Sequence, residues 1–174
     1  MRVSAKADYA LRAVAELAAA GETMNRERIA AAQGIPMEFL ESILLELKYV
    51  GIVQSQRGAR GGFRLARPAA DISLADVIRS VDGPMANVRG SRPEEVEYPG
   101  PAAHLRDVWI AVRASLRELL ESTSVQDLVD GKLSARVRRL TQVPDAWVSL
   151  GRVRGASRRR PPAGRTTRRR GDDA

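Results

Sequence analysis

The chain lacks cysteine altogether and has only one histidine, and these shortages remove several classes of function. Without thiolates there is no disulfide framework and no cysteine-ligated zinc or iron–sulfur site. No group of residues combines a nucleophile, a base and an orienting partner, and no glycine motif for phosphate binding occurs. We therefore expect that the protein is not an enzyme and has no metal or cofactor.

Long hydrophobic runs are also missing. No apolar segment approaches the roughly 18 residues of a membrane span. The N-terminal sequence MRVSAKAD has no uninterrupted apolar core of the kind that signal peptides contain. We expect a cytoplasmic protein with no membrane partner. Its 174 residues, of which 44% are hydrophobic, are enough for one ordinary core or two small ones.

The net charge of +8 is concentrated at one end of the chain. Residues 151–174 contain nine arginines and two aspartates, which leaves a net charge of only +1 for the first 150 residues. The same segment is rich in Gly, Pro, Ser and Thr, a composition typical of disordered tails. This arginine-rich tail is either merely solvated or adds an attraction to DNA phosphates that is independent of sequence and weakened by salt.

The first 50 residues predict three helices. The first covers residues 5–20, with Ser4 as its N-cap. The second begins at Asn25 and stops at Gly34, and the third runs from Pro36 through Val50. Because a tight turn joins the second and third helices, they form a helix-turn-helix.

The third helix has two faces. The face expected to enter the core carries Leu40, Ile43, Leu44, Leu47 and Val50. The outward face carries Met37, Glu38, Glu41, Ser42, Leu45 and Lys48. In a recognition helix the outward residues of the first turns reach base edges, where a carboxylate can accept from the cytosine amino group. Alternatively, the acidic residues simply favour the positive end of the helix dipole.

A basic hairpin follows the third helix. Residues 57–65 contain three arginines and three glycines between two short strand-like segments, and Pro68 ends the pairing. This pattern predicts a β-hairpin wing. A capping box at Ser73 and Asp76 then begins a fourth helix that ends at Gly83. The resulting fold class is mainly α with a small β-hairpin wing, a winged helix-turn-helix domain over residues 1–83.

A long helix after the polar loop of residues 84–100 predicts a homodimer. Its apolar residues alternate spacings of four and three, as in a heptad seam: Leu105, Trp109, Val112, Leu116 and Leu119. The alternative is that this stripe belongs to the intrachain core. A two-fold dimer would place two recognition helices about one DNA turn, roughly 34 Å, apart on a palindromic operator.

The remaining domain boundaries follow from composition. Residues 101–130 hold the dimerisation helix and a short helix after it, and residues 151–174 form the arginine-rich tail. Residues 131–150 are ambiguous, since they fit either a last amphipathic helix broken at Pro144 or a segment lying loosely on the surface.

Five motifs occur in order over about residues 1–130. They are SAKADYALR from Ser4, Ile35-Pro36 followed by Phe39-Leu40-Glu41 and Leu44-Leu47, Gly51-Ile52-Val53, the wing RGARGGFRLARP, and ISLADV from Ile72. Together they resemble the Rrf2 family of winged-helix bacterial repressors, which includes the iron–sulfur assembly regulator and the nitric-oxide-sensing repressor. The long helix and loop occupy the places of that family's dimerisation helix and cluster-binding loop.

The resemblance implies roles for individual residues. Glu38, Glu41 and Ser42 match the family's base-contacting positions, and Arg57 matches a wing arginine that enters the minor groove. By the same resemblance, we expect Tyr9 to lie near the phosphates of bound DNA. On charge alone, the remaining DNA-contacting candidates are Lys48, Arg60 and Arg64.

One departure from the family concerns its cofactor. Relatives that bind a cluster carry three cysteines in the loop that corresponds to residues 84–104, whereas this chain has none. We therefore expect a dimeric repressor that binds double-stranded DNA and responds to an unidentified metabolite or protein partner. The alternative is a non-specific architectural or protein-interaction module that relies on the arginine-rich tail.

Overall fold

A computed structural model describes residues 3–58 and 61–148, and over these ranges the chain is mainly helical with one hairpin. The α-helices are α1 (Ala5–Ala20), α2 (Arg26–Gln33), α3 (Met37–Tyr49), α4 (Leu74–Asp82), α5 (Leu105–Glu121), α6 (Val125–Val129) and α7 (Ala135–Thr141). The strands are β1 (Val53–Gln56) and β2 (Gly62–Leu65). The predicted fold class, mainly α with a β-hairpin wing, is confirmed.

The first two helices begin and end at the capping residues that the sequence indicates. The Ser4 hydroxyl accepts a hydrogen bond from the Ala7 amide, and the Asn25 side chain accepts one from the Arg28 amide at 2.8 Å. Gly21 and Gly34 end α1 and α2 in the left-handed conformation, with φ of 64° and 60°. These caps confirm the predicted helix-turn-helix, in which a turn of three residues separates α2 from α3.

The core lies where α1, α3 and α4 meet. Three alanines of α1 are completely buried, and their small side chains let the neighbouring helices approach closely. Facing them is the predicted apolar stripe of α3, comprising Leu40, Ile43, Leu44 and Leu47, none of which is exposed to solvent. Val50 was wrongly included in this stripe. The helix ends at Tyr49, so Val50 turns away from the core and is 48% exposed.

The hairpin is anchored to the segment before α2. β1 and β2 pair in antiparallel register, with Val53 opposite Leu65, and the Met24 and Phe63 amides exchange hydrogen bonds with each other's carbonyls at 2.9 and 2.8 Å. Gly62 lies directly against Met24, because a Cβ at position 62 would be 2.2 Å from the Met24 carbonyl oxygen. Only glycine permits this approach without moving the backbone.

After the long helix α5, the chain returns to the core where α1, α3 and α4 meet. The Val125 amide donates to the Ile72 carbonyl at 2.8 Å, and the Leu74 amide donates to the Thr123 carbonyl at 2.9 Å. Val125 is 1% exposed and belongs to the same cluster as the α1 and α3 core residues. The start of α6 therefore packs with the helix-turn-helix and holds the C-terminal end of α5 near the rest of the fold.

The segment between α4 and α5 has more order than its polar composition predicts. Val88 and Ser91 pair across a two-residue turn in which Arg89 and Gly90 have φ of 54° and 83°, as hairpin turns of this length require. A 3-10 helix, Pro93–Glu95, follows, and Val96 is buried. This segment packs against α5, which also packs against α4.

The ambiguous segment after residue 130 does form a helix. α7 ends at Thr141, and a 3-10 helix, Pro144–Trp147, follows. No residue between 135 and 148 is buried, and Trp147 is 79% exposed. Leu150 and the predicted arginine-rich tail lie outside the described residues. None of the described helices has the length and apolarity to cross a membrane.

The contact between Gly62 and Met24 gives a test of the wing anchor. We expect Gly62→Ala to lower the free energy of unfolding by about 1–3 kcal/mol, because the added methyl group forces two backbones apart. Hydrogen exchange at the Met24 and Phe63 amides should accelerate. Both quantities can be measured by urea unfolding and exchange mass spectrometry.

Gly51→Ala is the matched control. Gly51 also has a positive φ, of 73°, but a Cβ there meets nothing within 4 Å. The control therefore carries the conformational cost without the collision. If Gly62→Ala were no more destabilising than Gly51→Ala and left the exchange of Met24 unchanged, the wing would not depend on this contact.

Candidate nucleic-acid interface

The exposed face of α3 is the candidate reading surface. Its side chains recur at spacings of three and four, so they lie along one side of the helix. They are Glu38, Glu41, Ser42, Leu45, Lys48 and Tyr49, and all are exposed. Leu45 is 63% exposed and Tyr49 92%, although both are large apolar or aromatic residues. Two large side chains exposed together on a polar helix face make this face a candidate for contact with a partner.

Glu41 is engaged by an arginine from the neighbouring helix. The Arg26 Nη1 atom lies 2.7 Å from the Glu41 carboxylate, and the Arg26 Nε atom donates to Glu27 at 3.0 Å. The Glu27 hydrogen bond and the charge of Glu41 raise the pKa of Arg26. The first turns of α3 are therefore less negative than their sequence indicates, which lowers the repulsion that a DNA backbone would experience.

The other predicted reading residues are more open. The Ser42 hydroxyl donates to the Phe39 carbonyl at 3.0 Å, which leaves its oxygen free to accept. Within the described ranges neither Glu38 nor Lys48 has an ion-pair partner. Glu38, Ser42 and Lys48 can therefore approach a ligand without first breaking a salt bridge.

Tyr9 fixes the start of α3 against α1. Its half-buried ring lies 6.1 Å from the Phe39 ring, centroid to centroid, and the Arg12 guanidinium stands 5.6 Å from the Tyr9 ring centre. Arg12 also pairs with Asp8 at 3.2 Å. Since the ring of Tyr9 packs in this way, the residue positions α3, while the Arg12 guanidinium brings positive charge to the edge of the same surface.

A second tie sets the angle between α1 and α3. The Lys6 ammonium group donates to the Glu46 carboxylate at 2.8 Å, near the far end of α3. The Tyr9–Phe39 contact lies near the beginning of the same helix. These two contacts, at opposite ends of α3, add to its buried apolar stripe in holding the helix against α1.

The wing presents one arginine just after β1 and another on β2. Arg57 is exposed directly after β1, and Arg64 is exposed on β2 opposite Gln54. The Gly61 amide donates to the Gly58 carbonyl at 2.8 Å and closes the tip. Arg60, the third predicted wing arginine, lies outside the described residues.

Sequence reasoning missed Tyr49 and Arg26, and it gave Leu45 no role. A signal for Tyr49 was available, because it lies seven residues after Ser42 and four after Leu45 and must share their face. No local signal identified Arg26. Its pairing with Glu41 depends on the crossing of α2 and α3, which the sequence of either helix does not reveal.

The residues of the predicted heptad seam lie in two different environments. Leu105, Trp109, Leu116 and Leu119 are half-buried, and Trp109 lines a pocket with residues 86–89 of the preceding loop. The exposed apolar strip of α5 is instead a shallow groove lined by Val108, Ala111, Val112, Ser115, Leu116 and Leu119. Val108 is 52% exposed and Val112 38%. The strip is thus rotated from the predicted seam and shares Val112, Leu116 and Leu119 with it.

The residues of the 84–100 loop do not fit an iron–sulfur cluster. Such clusters are held mainly by cysteine thiolates, and the chain has no cysteine. Over residues 3–58 and 61–148, no three histidine, aspartate or glutamate side chains gather at metal-binding distance. In the loop that would have to supply thiolate ligands to a cluster, this chain has Arg89, Gly90, Ser91 and Arg92.

The geometry defines a winged helix-turn-helix protein of the DNA-binding class. Comparison with known proteins confirms this class and gives the family. Residues 3–131 match the Rrf2 family, described as iron-dependent transcriptional regulators. The chain belongs to the Rrf2 family and is a DNA-binding transcription regulator, not an enzyme.

Two curated relatives illustrate the likeness. An HTH-type transcriptional regulator of Mycobacterium tuberculosis (strain H37Rv) is 48% identical over 142 residues, which cover 80% of this chain and 88% of that protein. The HTH-type transcriptional regulator CymR of Bacillus subtilis is 34% identical, with 78% of this chain and 96% of that protein covered.

Solved structures agree with the fold. The structure of CymR, the global cysteine regulator of B. subtilis, superposes with a TM-score of 0.65 at 32% identity and covers 75% of this chain and 98% of that one. IscR of T. potens gives a TM-score of 0.62 at 29% identity, with 76% and 88% covered.

Proposed function

We propose that this protein is a dimeric, sequence-specific repressor that binds a palindromic operator through α3 and the wing. The observation that carries the proposal is the short segment of residues 24–26. Met24 pairs with the wing backbone, while Arg26 pairs with Glu41 on the exposed face of α3. One segment thus connects both candidate DNA-contacting elements, so they meet a duplex as one surface.

The chemistry of the exposed α3 face suits the major groove. Leu45 can contact a thymine methyl group, and the Ser42 hydroxyl can either donate to or accept from a base edge. Glu41 can accept from a cytosine amino group while Arg26, released from it, turns to a phosphate. Lys48 and Tyr49 extend the same face toward the sugar-phosphate backbone of the DNA.

The wing supplies the second contact. Arg57 is exposed at the tip end of the hairpin, and a narrow minor groove attracts an arginine through its strongly negative potential. Arg64 and Arg60 add charge for the neighbouring phosphates. Because the first 150 residues carry a net charge of only +1, the binding surface must depend on these local cations and not on overall charge.

The exposed strip of α5 supports a homodimer. A helix of 17 residues is ~25 Å long, and its apolar strip is only partly covered within the described part of the chain. A second copy related by a two-fold axis presents the same strip and buries both.

In this proposal residues 1–83 bind DNA, α5 and the short helix after it make the dimer, and the 84–100 loop receives a metabolite or protein partner.

A second function is an architectural module that uses the arginine-rich tail of residues 151–174. The charge of that segment favours it, since nine arginines give an attraction for any duplex. The two functions differ in what they require. Sequence-specific repression depends on α3 and the wing, whereas architectural binding depends on the tail and tolerates any sequence.

Arg57→Ala tests the role of the wing. The operator is first selected from random duplexes with the full chain, and affinity is then measured by fluorescence anisotropy at fixed salt. We expect the variant to lose about 1–3 kcal/mol of specific binding, the value of one good base contact. Non-specific affinity should fall much less.

Arg106→Ala serves as the control because it removes the same charge from α5 and leaves the wing intact. Deletion of residues 151–174 should preserve the preference for the selected duplex. An Arg57→Ala protein with the affinity of Arg106→Ala would contradict the wing contact. Loss of all binding on deletion, without any sequence preference in the full chain, would establish the architectural function instead.

Val112→Glu tests the dimer. Val112 belongs both to the predicted seam and to the exposed strip, and it is already partly solvated in the single chain. We expect dimer dissociation to become at least about 100-fold more favourable, because each copy would bury an unpaired carboxylate. The fold should keep its helical circular dichroism. Multi-angle light scattering measures the mass.

Arg106→Glu provides the matched control, since it also introduces a glutamate on α5 but lies outside the apolar strip. It should remain dimeric. A Val112→Glu protein that dimerises as tightly as this control would assign the strip to some other partner and remove the basis for a palindromic operator.

A further inference from the structure

An arginine-lined cleft lies between α4, the loop that follows it, and α5. Its volume is about 510 Å³. Four arginines and two glutamates line it together with a short apolar edge at Pro84 and Met85. The charged residues are Arg79 on α4, Arg92 and Glu94 from the loop, and Arg113, Arg117 and Glu121 on α5.

The contacts of the two glutamates show that the cleft stabilises carboxylate groups. The Glu121 carboxylate accepts hydrogen bonds from both Arg79 and Arg117, and Glu94 pairs with Arg113 at 2.5 Å. Hydrogen bonds from Arg79 and Arg117 lower the pKa of Glu121. A hydrogen bond from its own main-chain amide, followed by that from Arg113, lowers the pKa of Glu94. Anionic oxygens are therefore already favoured at two places in this cleft.

The cleft has more positive charge than it uses internally. Four arginines against two glutamates leave a formal surplus of two charges among the lining residues. Arg79 also lies 3.6 Å from Asp76, but Arg67 pairs with that carboxylate at 3.5 Å, so the surplus stays at two. In the part of the chain that the structure describes, the Arg92 guanidinium has no ion-pair partner. Arg113 is the most enclosed of the paired cations, with 21% of its side chain exposed. A guanidinium also has more donors than one carboxylate can accept, so hydrogen-bonding capacity remains for a ligand.

We infer that this cleft binds a small metabolite that carries two negative charges on oxygen, either a dicarboxylate or a phosphate monoester. Two surplus charges match a dianion, and planar guanidinium groups recognise carboxylate and phosphate in a bidentate manner. The edge formed by Pro84 and Met85 accommodates a short carbon chain. The inference rests on the proposed function in one respect, since it makes this metabolite the signal of the regulator.

The position of the cleft gives such a ligand a means of control. Arg79 belongs to α4, which packs on α1 and α3, whereas Arg117 and Glu121 belong to α5. An anion that draws Arg79 and Arg117 away from Glu121 loosens the connection between these helices. Arg113, Arg117 and Glu121 lie four residues apart on one face of α5, and the apolar strip lies on the opposite face. Ligand binding and dimer contact therefore act on the same rigid helix.

Titration calorimetry with the full chain tests the site directly. The probes are inorganic phosphate and succinate at pH 7.5, with ionic strength held constant by sodium chloride. We expect at least one of them to bind with a dissociation constant below about 1 mM. Arg92→Gln and Arg117→Gln should each weaken that binding about tenfold or more, the loss expected for a charge-assisted hydrogen bond. Arg106→Gln, on α5 but outside the cleft, should bind as the unaltered protein does.

The result also distinguishes the ligand classes. Binding of phosphate alone indicates a phosphate monoester, and binding of succinate alone indicates a dicarboxylate. No heat with either probe, or equal binding by Arg92→Gln, Arg117→Gln and Arg106→Gln, would overturn the site.

The selected operator separates this inference from the proposed function. The dianion should shift operator affinity at least about threefold in the unaltered protein but not in Arg92→Gln. Calorimetric binding together with no operator preference would refute the regulator and retain the site. Operator binding that no dianion alters, with no calorimetric binding, would refute the site and retain the regulator.

Discussion

The close approach of two backbones, Gly62 against Met24, is the contact on which the proposed DNA-contacting surface depends. It fastens the hairpin to the segment that begins α2, and Arg26, two residues later, reaches Glu41 on α3. The wing and α3, the proposed recognition helix, are therefore both held by the segment of residues 24–26. A rigid surface of this kind loses little conformational entropy on binding, which favours selective recognition over adaptable contact.

Local sequence signals predicted much of the fold. The caps at Ser4, Asn25 and Ser73 act through hydrogen bonds to amides three residues away, so their partners are present in the same short segment. The apolar stripe of α3, apart from Val50, and the glycine-rich hairpin were likewise apparent from spacing alone. These features need no knowledge of the rest of the chain, and the structure confirms them.

Non-local geometry accounts for what the sequence did not reveal. The pairing of Arg26 with Glu41 follows from the angle between two helices. The division of the predicted heptad seam depends on how the 84–100 loop folds over Trp109. Likewise, the burial of Val125 requires the chain to return to its first core after 17 residues of helix. In each case the partner is far away in sequence and no local pattern specifies it. The reading residues and the dimer therefore remain predictions, whereas the family is established.

The absence of cysteine excludes a thiolate-held cluster from the 84–100 loop. A cluster would be held by thiolates of the loop, and here the loop contributes Arg92 and Glu94 to a charged cleft beside α5 instead. Hydroxyl-radical footprinting on the selected operator tests whether two copies of the surface formed by α3 and the wing bind DNA together. We expect two equal protected regions centred roughly 34 Å apart on one face of the duplex. A single protected region, or uniform protection without boundaries, would contradict this expectation.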